Sequence, residues 1–401
     1  MKEVGFGRLL WNGIRKRMLR NLATIFCFAF VTASILSANF LVGGAQNSVN
    51  VGMNRLGADM LVVPQQFATQ TEAIFLTGKP SMFFFNSSVY ENVSVMPGVA
   101  KASPQLFIAT LNNASCCSLP VQLIGFNDTL DFTVGPWLAQ QLGRPLSQDE
   151  ILVGGLIIGE IGGHLLFYGH DFTIAGRLEL TGMGIDTSIF IRSEDAFVMA
   201  YESAWKAVQK LELDSSQISA VLVKLDGSLS MDDVINNIES SMPEAKVLSH
   251  NYLARKVGDQ LSGTTSVLLL TATAVTLVTI PLVAVVSSMI VNERKREIGL
   301  LRALGASKRF IFTMTLVEAM LLAGIGALVG ALGTILIMVN FQGLIASSLR
   351  IPFLWPPLSA VMTQSLSIGL LAVAIGGLAA LYPAVRSSGL DPYAAIRSGE
   401  A

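Results

Sequence analysis

The sequence predicts an α-helical membrane protein with four transmembrane helices and a mixed α/β extracytoplasmic domain inserted between the first and second spans. Three observations lead there. Apolar residues make up 52% of the chain and charged residues only 14%, against roughly 25% charged residues in a soluble globular chain; mean hydropathy is +0.58. Four long runs, about 21–45, 265–291, 311–340 and 359–383, are nearly free of charge and long enough to cross about 30 Å of hydrocarbon. Residues 46–263 contain no such run and carry 12 Lys and Arg against 22 Asp and Glu, a net charge of −10.

In chain order, residues 1–20 come first and interleave Lys2, Arg8, Arg15, Lys16, Arg17 and Arg20 with Phe6, Leu9, Leu10, Trp11, Ile14 and Met18. That pattern predicts a basic amphipathic helix lying in the membrane interface. The 21–45 run exceeds the apolar region of a secretory signal peptide and is read as a retained anchor. In 46–263, β-branched and aromatic residues predict strands at Ala58–Val63, Leu119–Phe126, His170–Arg177, Thr187–Arg192 and Ile218–Leu225. Helices are predicted at Ser193–Gln209, with Ser193 as N-cap, and at Ser230–Met242, where Ser230 and Asp233 resemble a capping box.

Lysine and arginine counts set the topology. Six cations precede the first span, six lie in 292–309, and Arg386 and Arg397 follow the last span, whereas the short loop 341–358 has only Arg350. Both termini and the 292–309 loop are therefore expected in the cytoplasm of a multi-pass plasma (inner) membrane protein, with 46–263 and 341–358 outside and 384–401 as a cytoplasmic tail. Within the spans, Pro281 is expected to kink or locally loosen the second. Gly326 and Gly330 form a GxxxG, joined by Gly324 and Gly333, and Gly369, Gly376 and Gly377 mark the fourth span; small residues let membrane helices approach closely. Glu318 is the one acid inside a span, and is read as lying near the cytoplasmic end with water or an arginine for company rather than as an ion site.

The stretch Asn292–Arg309 packs charges beside a regular apolar pattern. As a helix it is expected to carry Ile298, Leu300, Leu301 and Leu304 on one stripe and to turn Lys295 and Arg302 away. Gly299 and Ala303 would leave the flank bare; Gly305 would stop the helix and Ser307 cap the next. A plain cytoplasmic loop needs none of this, so the stretch is expected to be touched by a partner.

The residues Glu293, Arg294, Arg296, Glu297, Ile298, Gly299, Leu300, Leu301, Arg302, Ala303, Leu304, Gly305, Ala306 and Ser307 strongly resemble the signature that follows the second span in permease subunits of FtsX/MacB-type ABC transporters, the mechanotransmission class. The tail is similar too, with Tyr382-Pro383-Ala384-Val385-Arg386, then Leu390-Asp391-Pro392 and Ala395-Ile396-Arg397. Leu56-Gly57-Ala58-Asp59 is a weaker match. The resemblance implies that Glu293–Ser307 is a coupling helix docking on a cytoplasmic ABC ATPase. It also implies a second permease chain, identical or not, and a MacB-like core domain outside. No G-x-x-x-x-G-K-[ST] occurs in the sequence; Gly299 to Lys308 has the wrong spacing and no strand before it. ATP and magnesium are therefore expected in the partner subunit, and no cofactor and no catalytic residue in this chain.

Two functions are compatible with these parts. One is export or extrusion of a lipid, lipoprotein, peptide or drug-like substrate, driven by motion of the outside domain. The other is a non-transporting relay that regulates a cell-wall hydrolase or sensor kinase through an extracytoplasmic partner. The scarcity of charge inside the spans argues against a hydrophilic path through them. No basic block suggests nucleic acid. Cys116-Cys117, with His164 and His170, lack the spacing of a known metal site. Sequons at Asn86, Asn92, Asn113 and Asn127 all fall in 46–263.

Overall fold

The computed structural model describes residues 18–110, 121–293, 295–349 and 351–389. The predicted interfacial helix at 1–20 (but for its last three residues), Cys116, Cys117, Asn113, Arg294, Arg350 and the tail motif from Leu390 onward lie outside them. Four helices among the described residues are long and apolar enough to cross a membrane. A mixed α/β domain is inserted between the first and second of these, which is the predicted fold class.

The chain opens with α1 (Met18–Leu56), β1 (Met60–Pro64) and α2 (Ala68–Thr77). Next come β2 (Phe85–Asn86), α3 (Ser88–Ser94), β3 (Val99–Ala109), β4 (Gln122–Phe126), α4 (Gly135–Gln141) and β5 (Glu150–Val153). A hairpin, β6 (His164–Phe167) and β7 (His170–Arg177), leads to β8 (Ser188–Arg192) and α5 (Ser193–Lys206). The domain closes with β9 (Gln217–Ile218), β10 (Ala220–Leu225), α6 (Met231–Ser241) and β11 (Ala245–Ser249). Four helices complete the described chain: α7 (His250–Glu293), α8 (Lys295–Ala303), α9 (Lys308–Leu349) and α10 (Leu358–Ser388). By contacts the chain forms two units. One gathers residues up to Gly43, Leu261–Ile345 and those from Pro356; the other gathers Gly44–Gln260 and Ala346–Trp355.

In the α/β unit a nine-stranded sheet runs in the order β11-β1-β10-β3-β4-β8-β5-β7-β6. Two cores form on it. Val234 and Ile238 of α6 and Val89 and Val93 of α3 cover Met60, Val62, Val221, Val223 and Val247 at one end. Ala196, Met199 and Ala200 of α5 cover Leu123, Ile151, Phe172, Ile189 and Ile191 at the other. The Ser230 hydroxyl caps α6 by accepting from the Asp233 amide at 3.2 Å, and donates to the Asp233 carboxylate at 2.7 Å.

Several predicted boundaries are corrected. Ser193 is the first residue of α5, not its cap: Arg192 holds the extended cap backbone, and no side chain caps the helix. The predicted strand Ile218–Leu225 breaks at Ser219. There the hydroxyl accepts from the Phe107 amide and donates to the Phe83 carbonyl, and Ile218 pairs with Phe85 outside the main sheet. Strand β3, the longest among the described residues, is absent from the sequence expectations, because Lys101, Ser103, Pro104 and Gln105 hide its alternation and proline removes a ladder donor.

In the helical unit the GxxxG has a defined partner. A Cβ on Gly330 would lie 2.3 Å from the Ala29 carbonyl oxygen, and one on Gly326 would lie 2.6 Å from that of Ile25. A Cβ on Gly376 would meet the Ala323 Cβ at 2.6 Å. Phe28, Ala323, Ala327, Ala372 and Ala379 form the small-residue core these contacts enclose, with Val283 of α7. Gly333 and Gly369 meet nothing within 4 Å, so the glycines of these spans are not equivalent. Helix α7 runs unbroken through Pro281 and exposes Val267, Leu270, Leu277, Val278 and Val285.

Two outcomes follow. Gly330→Leu drives a side chain into the α1 backbone and is expected to cost about 1–3 kcal/mol or more, read as a lower melting temperature in detergent; Gly333→Leu is expected to leave it unchanged. At the start of β5 the Arg144 guanidinium binds both Glu150 oxygens at 2.7 and 2.8 Å and holds that carboxyl down to about 2. A depressed carboxylate contributes stability that is complete above its unfolded value and lost as pH falls through the folded one. Melting temperature should therefore fall between about pH 4.5 and pH 2, and Glu150→Gln should remove that part of the acid sensitivity.

Candidate functional site: the capped helix between the second and third long helices

Helix α8 is short because a complete stop signal follows it. The Ala306 amide donates to the Leu301 carbonyl and the Gly305 amide to the Arg302 carbonyl, with Gly305 at φ +99°. This is a Schellman closure, for which glycine carries the left-handed residue without strain. Its accompanying apolar contact is present too, since Leu301 and Ala306 pack on the same cluster. Ser307 then caps α9, its hydroxyl accepting from the Phe310 amide at 3.2 Å.

The expected single apolar stripe is split. Ile298 is buried against Val291 and Ile311, with Leu301 partly buried beside it, whereas Leu300 is 49% and Leu304 85% exposed. Helical geometry requires this: at about 100° per residue, Ile298 and Leu300 lie some 200° apart and cannot share a face. Lys295 and Arg302 are likewise on the inward side with Ile298, not opposite it. The Arg302 guanidinium donates to the Ser388 carbonyl at 2.9 Å, tying α8 to the end of α10. Of the flank expected to be bare, Gly299 is buried and Ala303 exposed. Arg296 falls within the helix.

The outward face therefore runs Glu297, Leu300, Ala303 and Leu304, with Lys308 and Arg309 exposed just beyond the stop. Beneath it, Ile298, Leu301, Ile311, Met314 and Thr315 line a small cavity that Glu297 and Glu318 also reach. Glu318 is buried there, 7% exposed, near the α8 end of α9. The helix is thus pinned by one face and capped at its end, while leucines remain outside.

The other candidate residues are not brought together into one site. His164 pairs with Asp171 at 2.9 Å, and His170 lies between Glu202 at 2.6 Å and Asp149 at 2.8 Å. They stand on neighbouring strands where His170 opposes Phe167 and His164 opposes Thr173, a stagger of about 10 Å. Among the described residues no group of three or more His, Cys, Asp or Glu is placed to hold a metal ion.

A feature missed in the sequence is the role of 351–355, read as a short connecting loop. In the α/β unit the Phe353 amide donates to the Gly182 carbonyl, the Leu354 amide to the Gly44 carbonyl, and the Asn47 amide group to the Trp355 carbonyl. The Phe353 ring lies where a Cβ on Gly44 would be, 2.3 Å away. On the same helix Ser48 donates to the Thr181 carbonyl at 2.9 Å, and Arg55 pairs with Glu179. The available signal was Ile351-Pro-Phe-Leu-Trp355, too apolar for a solvated loop.

Residues 269–392 match the family profile described as FtsX-like permease C-terminal. The C-terminal part of the chain carries an FtsX-like permease domain. The permease is 24% identical over 416 aligned residues to the macrolide export ATP-binding/permease protein MacB of Campylobacter jejuni, covering 97% of this chain and 60% of that protein. It thus spans about three fifths of the length of that relative. A 109-residue stretch is 35% identical to the uncharacterized ABC transporter permease YvrN of Bacillus subtilis, covering 27% of this chain and 24% of that one. In structure the permease is similar to the periplasmic region of MacB from Actinobacillus actinomycetemcomitans, at a TM-score of 0.33 and 8% identity, over 51% of this chain and 95% of that one.

The cap gives a test. Gly305→Val forces a β-branched residue into left-handed backbone at a cost of about 1–2 kcal/mol, so hydrogen exchange at the Ala306 amide should accelerate while protection of the α9 core amides holds.

Proposed function

We propose that this permease works with a separate cytoplasmic ABC ATPase that docks on α8, and that the ATPase stroke moves the α/β unit to export or release an amphipathic or drug-like substrate. ATP and magnesium belong to the ATPase; no Walker A sequence occurs among these 401 residues. The assembly contains a second permease chain in the plasma (inner) membrane, with both termini and α8 in the cytoplasm and the α/β unit outside. Positive-inside counting supports that orientation, and the MacB relative's name supports export.

The observation that carries the reading is the outward face of α8. A folded helix that keeps Leu300 and Leu304 exposed, beyond the apolar spans, has a surface that water disfavours and a partner can bury. Glu297 at one end and Lys308 and Arg309 at the other supply oriented charge for register. The inward contacts of Ile298 and Arg302 would pass a push on that face to α9 and α10.

The test is co-purification of the permease with ABC ATPases of its own cells. Leu300→Asp with Leu304→Asp, both exposed, should abolish capture without shifting the melting temperature, since burying a carboxylate in an apolar interface costs several kcal/mol. Capture unchanged by the pair would defeat the docking assignment. An export assay in a strain lacking the permease then reads transport, and normal export across lipids, peptides and drugs would refute that half.

A further inference from the structure

The α/β unit contains a cleft that the reading above does not use. It occupies about 870 Å³, within the roughly 300–1,000 Å³ of ligand pockets. Phe132, Pro136 and Trp137 form one wall, with Asn54 and Gln141 beside them, and Arg55 and Glu179 stand at its edge. The same Arg55, Thr133, Trp137 and Glu179 border a smaller recess of about 40 Å³ lined by Leu56, Val134, Leu178, Ile185 and Phe190. The two spaces share these four residues, the larger with a mixed lining and the smaller with a mostly apolar one.

Its walls are fixed in advance. The Asp131 carboxylate accepts from the Val134 and Gly135 amides at 2.6 and 2.7 Å and from the Thr133 hydroxyl at 2.6 Å, which sets the start of α4 and so the place of Trp137. Opposite, the buried Asp186 carboxylate accepts from the Thr181 hydroxyl at 2.8 Å and the Gly182 amide at 2.7 Å, shaping the turn that follows Glu179. Preorganised walls reduce the ordering cost of binding.

The charges select the ligand. Arg55 and Glu179 pair with each other, and Glu179 is more than half exposed. A ligand of one sign can replace only one partner of the pair and leaves the other to water. A ligand carrying both signs replaces the pair member for member, and Trp137 adds an aromatic face for a cation or an apolar chain.

We propose that this cleft binds a zwitterionic amphiphile, with its anionic group at Arg55, its ammonium at Glu179, and its apolar portion against Trp137 and into the Leu178–Phe190 recess. Such chemistry is shared by an ethanolamine phospholipid and by an apolar peptide with free termini. The inference deepens the export reading and rests on it for calling the ligand a substrate. Arg55 closes the last turn of α1, the helix gripped at Gly44, Asn47 and Ser48, so a displacement of α1 would reshape the mouth.

The experiment is equilibrium binding to the full chain in nanodiscs, without ATP or ATPase, so that its failure is separate from a failure of docking. Probes are short-chain lysophosphatidylethanolamine, an apolar tripeptide with free termini, and short-chain lysophosphatidylglycerol as the purely anionic comparison, read by calorimetry and by tryptophan fluorescence. At least one zwitterion should bind saturably, and which one names the source. Glu179→Gln should weaken it about tenfold, and Trp137→Leu should remove the fluorescence response. Saturable binding of neither zwitterion, equal binding to the Glu179→Gln variant, or equally tight lysophosphatidylglycerol would overturn the proposal. The exposed position of Glu179 keeps that variant folded, which an unchanged melting temperature verifies.

Discussion

The contact on which the helical unit depends is the seating of α9 directly on the backbone of α1. Lipid tails are as apolar as leucine, so membrane helices gain little from hiding side chains and much from close, extensive contact. Gly326 and Gly330 supply that contact by having no Cβ where the Ile25 and Ala29 carbonyls approach. Gly376 does the same for α10 against α9, with Ala323 between. Removing these three hydrogens-for-side-chains would separate the helices by the width of a methyl group or more. Phe28, wedged among Ala323, Ala327, Ala372 and Ala379, would then lose the packing that keeps it buried.

The same economy explains why α8 is so short. A helix of nine residues is marginal on its own, and α8 persists because its C-terminal end and one face are tied. Its Schellman closure satisfies carbonyls that would otherwise be bare, Ile298 inserts between Val291 and Ile311, and Arg302 reaches the Ser388 carbonyl. What remains on the outside is left there by geometry, since the turn of the helix carries Leu300 and Leu304 away from the face that Ile298 buries. An exposed leucine pair on a helix anchored this firmly differs from scattered surface leucines, which need no explanation.

Much of this was legible in the sequence, and the failures have definite causes. Spans announce themselves by length and apolarity, which depend on composition over twenty residues and forgive local error. Gly305 and Ser307 were legible because a stop and a cap are decided by one residue each. The stripe on α8 was misread by counting leucines and isoleucine together without resolving their angles, and the 200° between Ile298 and Leu300 divides them. The strand β3 was hidden by its own Pro104, Lys101 and Ser103. The 351–355 segment was hidden for a different reason: what it binds, Gly44 and Gly182, is some 300 and 170 residues away, and no local pattern reports that. The Arg55–Glu179 pair, 124 residues apart, is invisible in the same way.

Helix α1 draws these threads together. Its 39 residues form one unbroken helix, about 58 Å at 1.5 Å per residue. Early in that length the Ile25–Ala29 turn receives the α9 glycines; late in it Gly44, Asn47 and Ser48 hold the 353–355 segment and Thr181, and Arg55 meets Glu179. A continuous helix resists compression along its axis because every turn is braced by its own hydrogen bonds. At its C-terminal end the contacts are hydrogen bonds and a charge pair, so Gly44, Asn47, Ser48 and Arg55 cannot slip without breaking named bonds.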